Sequence, residues 1–293
     1  ATIVAGIVAK DGLDGLVIST ILAGIFLILM GLCHFGSLIK FIPYTITTGF
    51  TSGIAVTIVI GQLKDFFGVT YPNGLKPIET MEKLNAFALG FSSFHVDALI
   101  VGGVSLAILI ISPYIFKRIP GSLIAVVIGI LMVKFLPLHV STIGNLYTIT
   151  NDLPSFHIPA VKFSMVKSAI PNAFTIAVLA AIESLLSCVV ADGMINGKHR
   201  SDTELVAQGL GNIASALFGG IPATGAIART AANIKNGGRT PVAGMVHSIT
   251  LVIVLVVLMP FAGMIPMPTI AAILFIVAYN MCQWRTFVHM LKT

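Results

Sequence analysis

The stretch that decides the fold reads Phe218-Gly219-Gly220-Ile221-Pro222-Ala223-Thr224-Gly225-Ala226-Ile227-Ala228-Arg229-Thr230-Ala231-Ala232-Asn233-Ile234. A Gly/Pro break precedes a predicted helix over 224–235, which at 1.5 Å per residue covers about 18 Å, roughly half of a membrane. Pro222 is expected to mark the entry to this helix, with Thr224 near its N-cap. Such a helix exposes unpaired N–H groups at its N-terminus, where its dipole favours an anion. Together with Arg229, the stretch predicts a small-anion site of the kind that discontinuous helices form in secondary transporters.

The composition indicates a membrane protein. The chain is 56% hydrophobic and only 10% charged, and its mean hydropathy of +1.01 lies far above soluble norms. Long apolar runs predict spans at 14–36, 43–63, 97–116, 119–136, 169–191, 242–263 and 265–284. Two shorter segments, 205–218 and 224–235, fit half-helices buried in protein, although 205–218 could also be an amphipathic surface helix. The predicted fold class is therefore an all-α membrane protein.

The loop charges predict an orientation in the membrane. If the span 14–36 runs from outside to inside, the inner loops hold an excess of Lys and Arg, whereas the outer loops are balanced. The net charge of +6 is then explained by orientation in a bacterial inner membrane. Since no aromatic residues are interleaved with the basic ones, no nucleic-acid partner is predicted.

The residues that usually carry enzyme or metal chemistry are scattered. Cys33, Cys188 and Cys282 lie in or beside predicted spans without a metal-binding spacing and are expected to be small core residues. The His residues form no paired motif. No nucleophile–base pair appears at membrane depth, so neither an enzyme, a metal site nor a cofactor is predicted.

One acid lies deep in a predicted span. Glu183 is near the expected bilayer centre, where an ionisable group costs about 3 kcal/mol or more unless it is paired or hydrated. Ser184 is adjacent and Ser187 lies one turn further on. Burial favours a neutral carboxyl, which would suit a coupling proton. The alternatives are an ion pair with Arg229, ligation of Na⁺, or a purely structural hydrogen bond between helices.

Weaker patterns suggest an internal repeat. Residues 38–43 stand at the start of one apolar span, and residues 262–266 at the start of another. In each case the preceding span begins after a Gly-containing turn, which is 11–15 in the first half and 236–241 in the second. Two halves of opposite membrane polarity would explain this arrangement. The counterpart of 224–235 would then be the helix that precedes residue 11. The polar side chains expected to cap or bridge the broken helices are Gln208, Asn212 and Asn233.

Several blocks resemble the sulfate permease (SulP) family of anion transporters. Residues 42–66 are similar to that family's fifth helix, and the block 189–239 is similar to its eighth to tenth helices. The resemblance implies a fold of fourteen helices in a 7+7 inverted repeat, with a core domain, a gate domain and broken half-helices. It assigns 1–136 to the remainder of the first repeat (end of helix 3 to helix 7), 137–168 to an extracellular connection, and 169–293 to the start of the second repeat (helices 8 to 12).

The resemblance also implies a site. Family members move sulfate, bicarbonate, chloride or dicarboxylates, and bind the anion between the N-termini of the third and tenth helices. Carried over, Gly225 to Ala228 resemble the backbone anion donors, and Arg229 resembles the arginine that supplies positive potential. Glu183 resembles the acid linked to cation coupling. The predicted anion-binding set is Thr224, Gly225, Ala226, Ile227, Ala228 and Arg229, and the predicted ion-coupling set is Glu183, Ser184 and Ser187.

Two departures bear on the coupling ion. Sodium-coupled bicarbonate members carry Asp and Thr where this chain has Glu183 and Ile227, so an oxygen ligand for Na⁺ is lost. The predicted function is therefore a proton-coupled secondary transporter of small inorganic anions (sulfate-type, bicarbonate or dicarboxylate) that works by alternating access. The alternatives are a Na⁺-coupled bicarbonate transporter, an anion channel, and a nucleobase permease of related fold, although permeases usually use two acids.

The resemblance adds expectations about the rest of the protein. The first helix, the pocket half of the third helix and a cytoplasmic STAS domain would lie outside this chain. A homodimer through that domain is expected, and the other partners are the anion, the coupling proton and the lipid bilayer.

Overall fold

The computed structural model describes residues 2–37, 44–72, 75, 77–116, 119–149, 152–159 and 163–282. Over these ranges the chain is mainly helical, which confirms the all-α prediction. The helices are α1 (Thr2–Leu32), α2 (Tyr44–Phe67), α3 (Thr80–Gly90), α4 (Val96–Ile115), α5 (Gly121–Phe135), α6 (Ile143–Leu146), α7 (Phe163–Ile195), α8 (Ser201–Leu217), α9 (Ile227–Lys235), α10 (Val242–Ile253), α11 (Met259–Ala262) and α12 (Met267–Met281).

Four helical segments in the described part of the chain are long and apolar enough to cross a membrane, and they match predicted spans. They are Ile3–Leu32, Val96–Ile115, Met165–Ile195 and Val242–Ala262. Helices α5 and α12 have 15 residues each, fewer than the predicted spans 119–136 and 265–284, although residues 283–284 lie outside the described residues. Helix α5 ends where Leu136 turns extended ahead of Pro137, as residues before proline usually do. Pro266 is the N-cap of α12.

Glycine and proline mark two interruptions among the described helices, and a proline also lies inside the unbroken helix α7. Gly12, at φ 73° and ψ −172°, breaks α1 inside the predicted turn 11–15. Pro171 lies inside α7, which begins at Phe163 rather than at 169. A π-helical segment, Val254–Leu258, separates α10 from α11 just before Pro260, which has no N–H to donate to the preceding turn.

The chain folds into two compact units, each of which combines two separate stretches of the sequence. Unit 1 comprises residues 1–47 and 153–249, and unit 2 comprises residues 48–152 and 250–293. The predicted repeats, 1–136 and 169–293, therefore cut across both units. The assignment of repeats remains a prediction.

Unit 1 is built on α1, which packs against α7 and α8. Its core is apolar and made largely of small residues, among them Ala23, Ala173 and Ala177, with Leu27 and Leu205 fully buried. In unit 2, α4 packs against α5 and α12 around Leu109, Ala125 and Ala272. A buried hydrogen bond of 2.9 Å joins the hydroxyls of Ser105 and Thr269.

Glycines let α1 and α8 cross closely. A Cβ on Gly24 would lie 2.6 Å from the carbonyl oxygen of Gly209, and a Cβ on Gly209 would lie 2.5 Å from that of Gly24. At the end of α1, Asp202 of α8 accepts the Gly36 N–H and lies 2.9 Å from His34 Nδ1. The hydrogen bond with His34 has the largest effect on the pKa of Asp202. Together with the bond from Gly36, it holds this pKa below its usual range. The crossing fixes α8, which carries part of the candidate site.

Candidate anion site at the broken helix

Helix α9 is shorter than predicted. It begins at Ile227, and its N-cap, Ala226, is extended at φ −118° and ψ 114° without a side-chain cap. The predicted helix 224–235 is therefore wrong at its start, where Pro222 is not the entry and Thr224 is not the N-cap, but right at its end, Lys235. The nine residues of α9 cover about 13 Å, so the half-helix itself is present. Residues 220–226 form a non-helical approach to it.

Asn212 holds the start of this approach. The side chain is 1% exposed, and its amide donates to the carbonyl of Ala223 while its oxygen accepts the Ala223 N–H, both at 2.9 Å. The same amide nitrogen also donates to the Gln208 carbonyl within α8. Asn212 thus pairs with the backbone of Ala223 as a residue of a neighbouring β-strand would. Ala223 lies outside any helix, and this pairing satisfies both its backbone N–H and its carbonyl. The predicted bridging role of Asn212 is confirmed.

Ser184 holds the next two residues. Its hydroxyl oxygen accepts the Gly225 N–H at 3.1 Å and an amide hydrogen of Gln208, and it lies 3.0 Å from the Thr224 hydroxyl. The Thr224 hydroxyl in turn donates to the Ala180 carbonyl at 3.0 Å. Because Thr224 gives its hydrogen to Ala180, Ser184 donates its own hydrogen to Thr224. With two hydrogens accepted and one donated, the bonding capacity of the Ser184 hydroxyl is filled. These contacts explain why residues 224 and 225 remain outside α9.

A further contact joins α7 to α9 itself. The hydroxyls of Ser187 and Thr230 lie 2.6 Å apart. Ile227, the first residue of α9, packs against the apolar core of unit 1. The sequence does not indicate the roles of Thr230 and the Ala180 carbonyl. A small polar side chain or a backbone carbonyl in an apolar helix carries no information about a distant partner. The side chain of Asn233 makes no hydrogen bond to a residue that the structure describes.

The predicted anion donors divide into two groups. The Thr224 hydroxyl and the Gly225 N–H are occupied by α7, as described. The first N–H groups of α9 have no partner within the helix, as at every helix start, and Thr230 is the first residue to bond back, to Ala226 at 2.9 Å. The side chain of Arg229 is exposed and forms no ion pair within the described ranges. Open donors and a free cation therefore lie together at the start of α9.

Glu183 is half-buried on α7 beside Ser184. Its carboxylate has neither a hydrogen bond nor an ion pair with any residue for which placement is described, so the predicted alternative of a pair with Arg229 is not found there. The described residues also contain no group of three His, Cys, Asp or Glu that could hold a metal ion.

The sequence model of the sulfate permease family matches residues 1–293. The chain is 41% identical to the Bacillus subtilis protein named "Putative sulfate transporter YvdB", with 98% of this chain and 54% of that protein aligned. It is 32% identical to the bicarbonate transporter BicA of Synechocystis, with 96% of this chain and 50% of that protein aligned. The chain thus spans about half the length of these curated relatives.

Solved structures give the same fold. The transmembrane domain of a cyanobacterial bicarbonate transporter, BicA, matches with a TM-score of 0.83 and 31% identity, over 97% of this chain and 72% of that one. Murine solute carrier 26 family member A9 matches with a TM-score of 0.81 over 96% of this chain and 46% of that one; at 20% identity, this likeness concerns the fold alone. The relatives are named as transporters, which confirms the prediction that the chain is not an enzyme.

Proposed function

Since the chain belongs to the sulfate permease family, we propose that its protein is a secondary transporter of small inorganic anions in a bacterial inner membrane. Relatives are named for sulfate and for bicarbonate, and both ions belong to the proposed substrate class, with dicarboxylates as a further candidate. The observation that carries the proposal is the start of α9, where open backbone N–H groups and Arg229 lie together.

The anion binds, in this proposal, to the N–H groups of residues 226–229 and to the positive potential of Arg229. The approach 220–226 is held on α7 and α8 by Ser184 and Asn212, so the donors are preorganised and little ordering is needed when an anion arrives. Backbone donors and one cation recognise charge and size rather than one specific oxyanion. The substrate is therefore a class of ions.

Coupling is proposed to use protons carried by Glu183. This carboxyl is half-buried and adjacent to Ser184, whose oxygen accepts the Gly225 N–H. A change of charge on Glu183 therefore acts one residue away from the contact that holds residues 220–226, called the anion loop below. Na⁺ is the rival, but Ile227 packs its apolar side chain against the core and offers no side-chain oxygen.

Two other functions predict different behaviour. An anion channel would share the donors of α9 but would not need Glu183 and could not accumulate its ion against a gradient. A nucleobase permease would need a second acid to grip the base, and within the described part of the site Glu183 is accompanied by Ser184, Thr224 and Arg229.

Uptake by the full-length natural protein in proteoliposomes tests the proposal. Labelled sulfate, bicarbonate, succinate and uracil are compared at two external pH values, with and without Na⁺. We expect saturable accumulation of at least one anion, competition by the other anions, and no uptake of uracil. Uptake of uracil alone, or anion flux that never exceeds the applied gradient, would contradict secondary anion transport. Cross-linking of the same preparation tests the proposed homodimer through a STAS domain.

A further inference from the structure

Residues 80–94, called the α3 segment below, connect α2 to α4 in unit 2. The segment consists of α3, which has 11 residues, and the 3₁₀ turn Phe91–Ser93 that follows directly. A helix of this length covers about 17 Å and is too short to cross a bilayer. Helix α4, which is long and apolar enough to cross, begins at Val96. The α3 segment therefore ends at the level where a span leaves the membrane.

Hydrogen bonds and a close approach hold the α3 segment against the turn after α2. The His95 N–H donates to the Phe67 carbonyl at 3.0 Å, and the Ser93 hydroxyl oxygen accepts the Thr70 N–H at 3.0 Å. A Cβ on Gly90 would lie 2.7 Å from the Thr70 carbonyl oxygen, so a side chain at this position would not fit. These contacts fix which side of α3 faces away from unit 2.

The inward side of α3 is apolar, as expected of a packed helix. Ala86 and Gly90 are buried. The ring of Phe87 lies 5.8 Å from the ring of Phe67 at the end of α2. The apolar surface that α3 needs in order to pack on unit 2 is therefore already provided by this side.

The outward side of α3 is also apolar, although it is exposed. With about 100° of turn per residue, its side chains lie within an arc of about 140°. They are Met81, Leu84, Asn85, Ala88 and Leu89, all exposed. Met81 is 65% exposed and Leu89 is 71% exposed. A helix that is apolar on both sides is not one that faces water, so its outward side requires an apolar neighbour.

This exposed apolar surface continues from α3 onto α4. The rings of Phe91 and Phe94 stack with their centres 5.9 Å apart and an angle of 24° between them, and both residues are nearly half exposed. In the first turns of α4, Val96, Leu99 and Ile100 are exposed as well. Since α4 is a membrane-spanning helix by length and composition, the α3 segment extends a surface that already borders lipid.

The charges of α3 favour contact with lipid in general over contact with anionic lipid. The charged side chains of α3 and its N-cap are Glu79, Glu82 and Lys83. The Glu82 carboxylate accepts the N–H groups of Ile78 and Glu79, so it serves the start of the helix. One cation against two acids gives no positive excess to attract anionic headgroups. The attraction to the membrane therefore comes from apolar burial.

We propose that the α3 segment lies in the interface of the lipid bilayer, with the exposed apolar side chains of residues 81–94 at the boundary between headgroups and acyl chains. The loop charges predict that this end of α2 and α4 faces outside. The segment is then an outer membrane anchor of unit 2 instead of a loop in water. It takes no part in the anion site proposed on α9, since residues 80–94 all belong to unit 2.

Spin labelling of the full-length protein in nanodiscs measures the depth of the segment. Single cysteines, M81C and L89C, are introduced into a variant whose natural cysteines are replaced. I110C, at an exposed position inside α4, is the reference for lipid, and D152C, at an exposed position outside any helix, is the reference for water. Oxygen, which concentrates in lipid, and a water-soluble nickel complex are the collision partners. We expect M81C and L89C to collide more with oxygen than with nickel and to lie between the two references.

A pair of leucine variants tests the same contact through stability. Leu89 and Leu153 are exposed by 71% and 60%, and Leu153 lies outside any helix. Glutamine has nearly the helix propensity of leucine, so a loss in L89Q reports on the lost apolar contact. We expect a lower melting temperature for L89Q in nanodiscs and an unchanged one for L153Q. Because the attraction is apolar, the difference should be equal with and without phosphatidylglycerol.

Three outcomes would overturn the proposal. Labels at residues 81 and 89 that meet the nickel complex as freely as D152C would place the segment in water. Labels shielded from both collision partners would show that protein covers it, either another part of the full-length chain or a second copy. A melting temperature of L89Q equal to that of wild type would show that the outward side gains nothing from lipid. None of these results bears on whether Arg229 binds a transported anion.

Discussion

At the scale of single residues, the sequence could predict which side chains matter but not how they are bonded. Glu183 and Arg229 are noticeable because charge is rare in an apolar stretch. Ser184 looks ordinary in the sequence, yet its oxygen joins Gly225 and Gln208, which are 41 and 24 residues away along the chain. Serines and threonines occur throughout such helices, so only the packing of α7 against α8 identifies the one that holds the anion loop.

Replacing Arg229 by alanine should weaken anion binding while the fold is retained. The side chain is exposed and unpaired among described residues, so its removal leaves no buried partner. We expect at least about a tenfold loss of affinity, or about 1.4 kcal/mol, since charge-assisted contacts are the stronger ones. Labelled-anion binding to the purified full-length variant measures it, with K235A at the other end of α9 as the control. Equal affinity in R229A and wild type would refute the role of Arg229.

Replacing Ser184 by alanine should destabilise unit 1 and weaken anion binding together. The change leaves the Gly225 N–H and the Gln208 amide without their acceptor, and an unsatisfied buried group costs about 1–3 kcal/mol. Thermal unfolding and anion affinity are measured on the same sample. S168A is the control, because Ser168 is an exposed residue of α7 that bonds only to its own helix at Met165. A variant that keeps both the wild-type melting temperature and the wild-type affinity would show that Ser184 does not hold the loop.

At the scale of elements, the sequence predicts which segments are helices better than it predicts the residues at which they begin and end. Apolar runs indicate helices because the bilayer admits no other backbone arrangement at this composition. The ends depend on competing partners: the sequence predicts a helix from residue 224, but α7 binds residues 224 and 225 through hydrogen bonds that hold them outside α9. Likewise, the short α12 begins at Met267, directly after its N-cap Pro266. Local sequence gives the break, and tertiary contacts determine on which residue it falls.

The crossing of α1 and α8 should be sensitive to a single methyl group. In G209A the new Cβ would lie 2.5 Å from the Gly24 carbonyl oxygen, and overpacking of this kind typically costs about 1–3 kcal/mol. We expect a lower melting temperature for G209A and a higher or unchanged one for G211A. Gly211 is the matched control, because it lies in the same helix with no atom within 4 Å of its added Cβ. Equal melting temperatures for the two variants would mean that the helices cross less closely than described.

At the scale of the whole molecule, the sequence predicts a transporter-like membrane protein but not its division into units. The two units each combine two separate stretches of the chain, and α1 contacts α7 and α8 across more than a hundred intervening residues. Apolar periodicity carries no information about which helices pair, because every span presents a similar surface. The family resemblance leads to the expectation of two domains. In unit 1, buried small residues such as Ala23 and Ala177 let the helices pack closely.

The coupling prediction concerns the whole transport cycle. If Glu183 carries the coupling proton, uptake should rise as the external pH falls, with or without Na⁺. E183Q resembles the protonated state and cannot release a proton, so it should lose accumulation against a gradient yet still exchange internal for external anion. D152N is the control, because Asp152 is exposed and lies outside the proposed site. Both variants are compared with wild type by uptake and by counterflow in proteoliposomes at fixed pH. Strict Na⁺ dependence of the wild type would overturn the proton assignment, and so would full accumulation by E183Q, because a transporter without its titrating carboxyl has no means of drawing on a proton gradient.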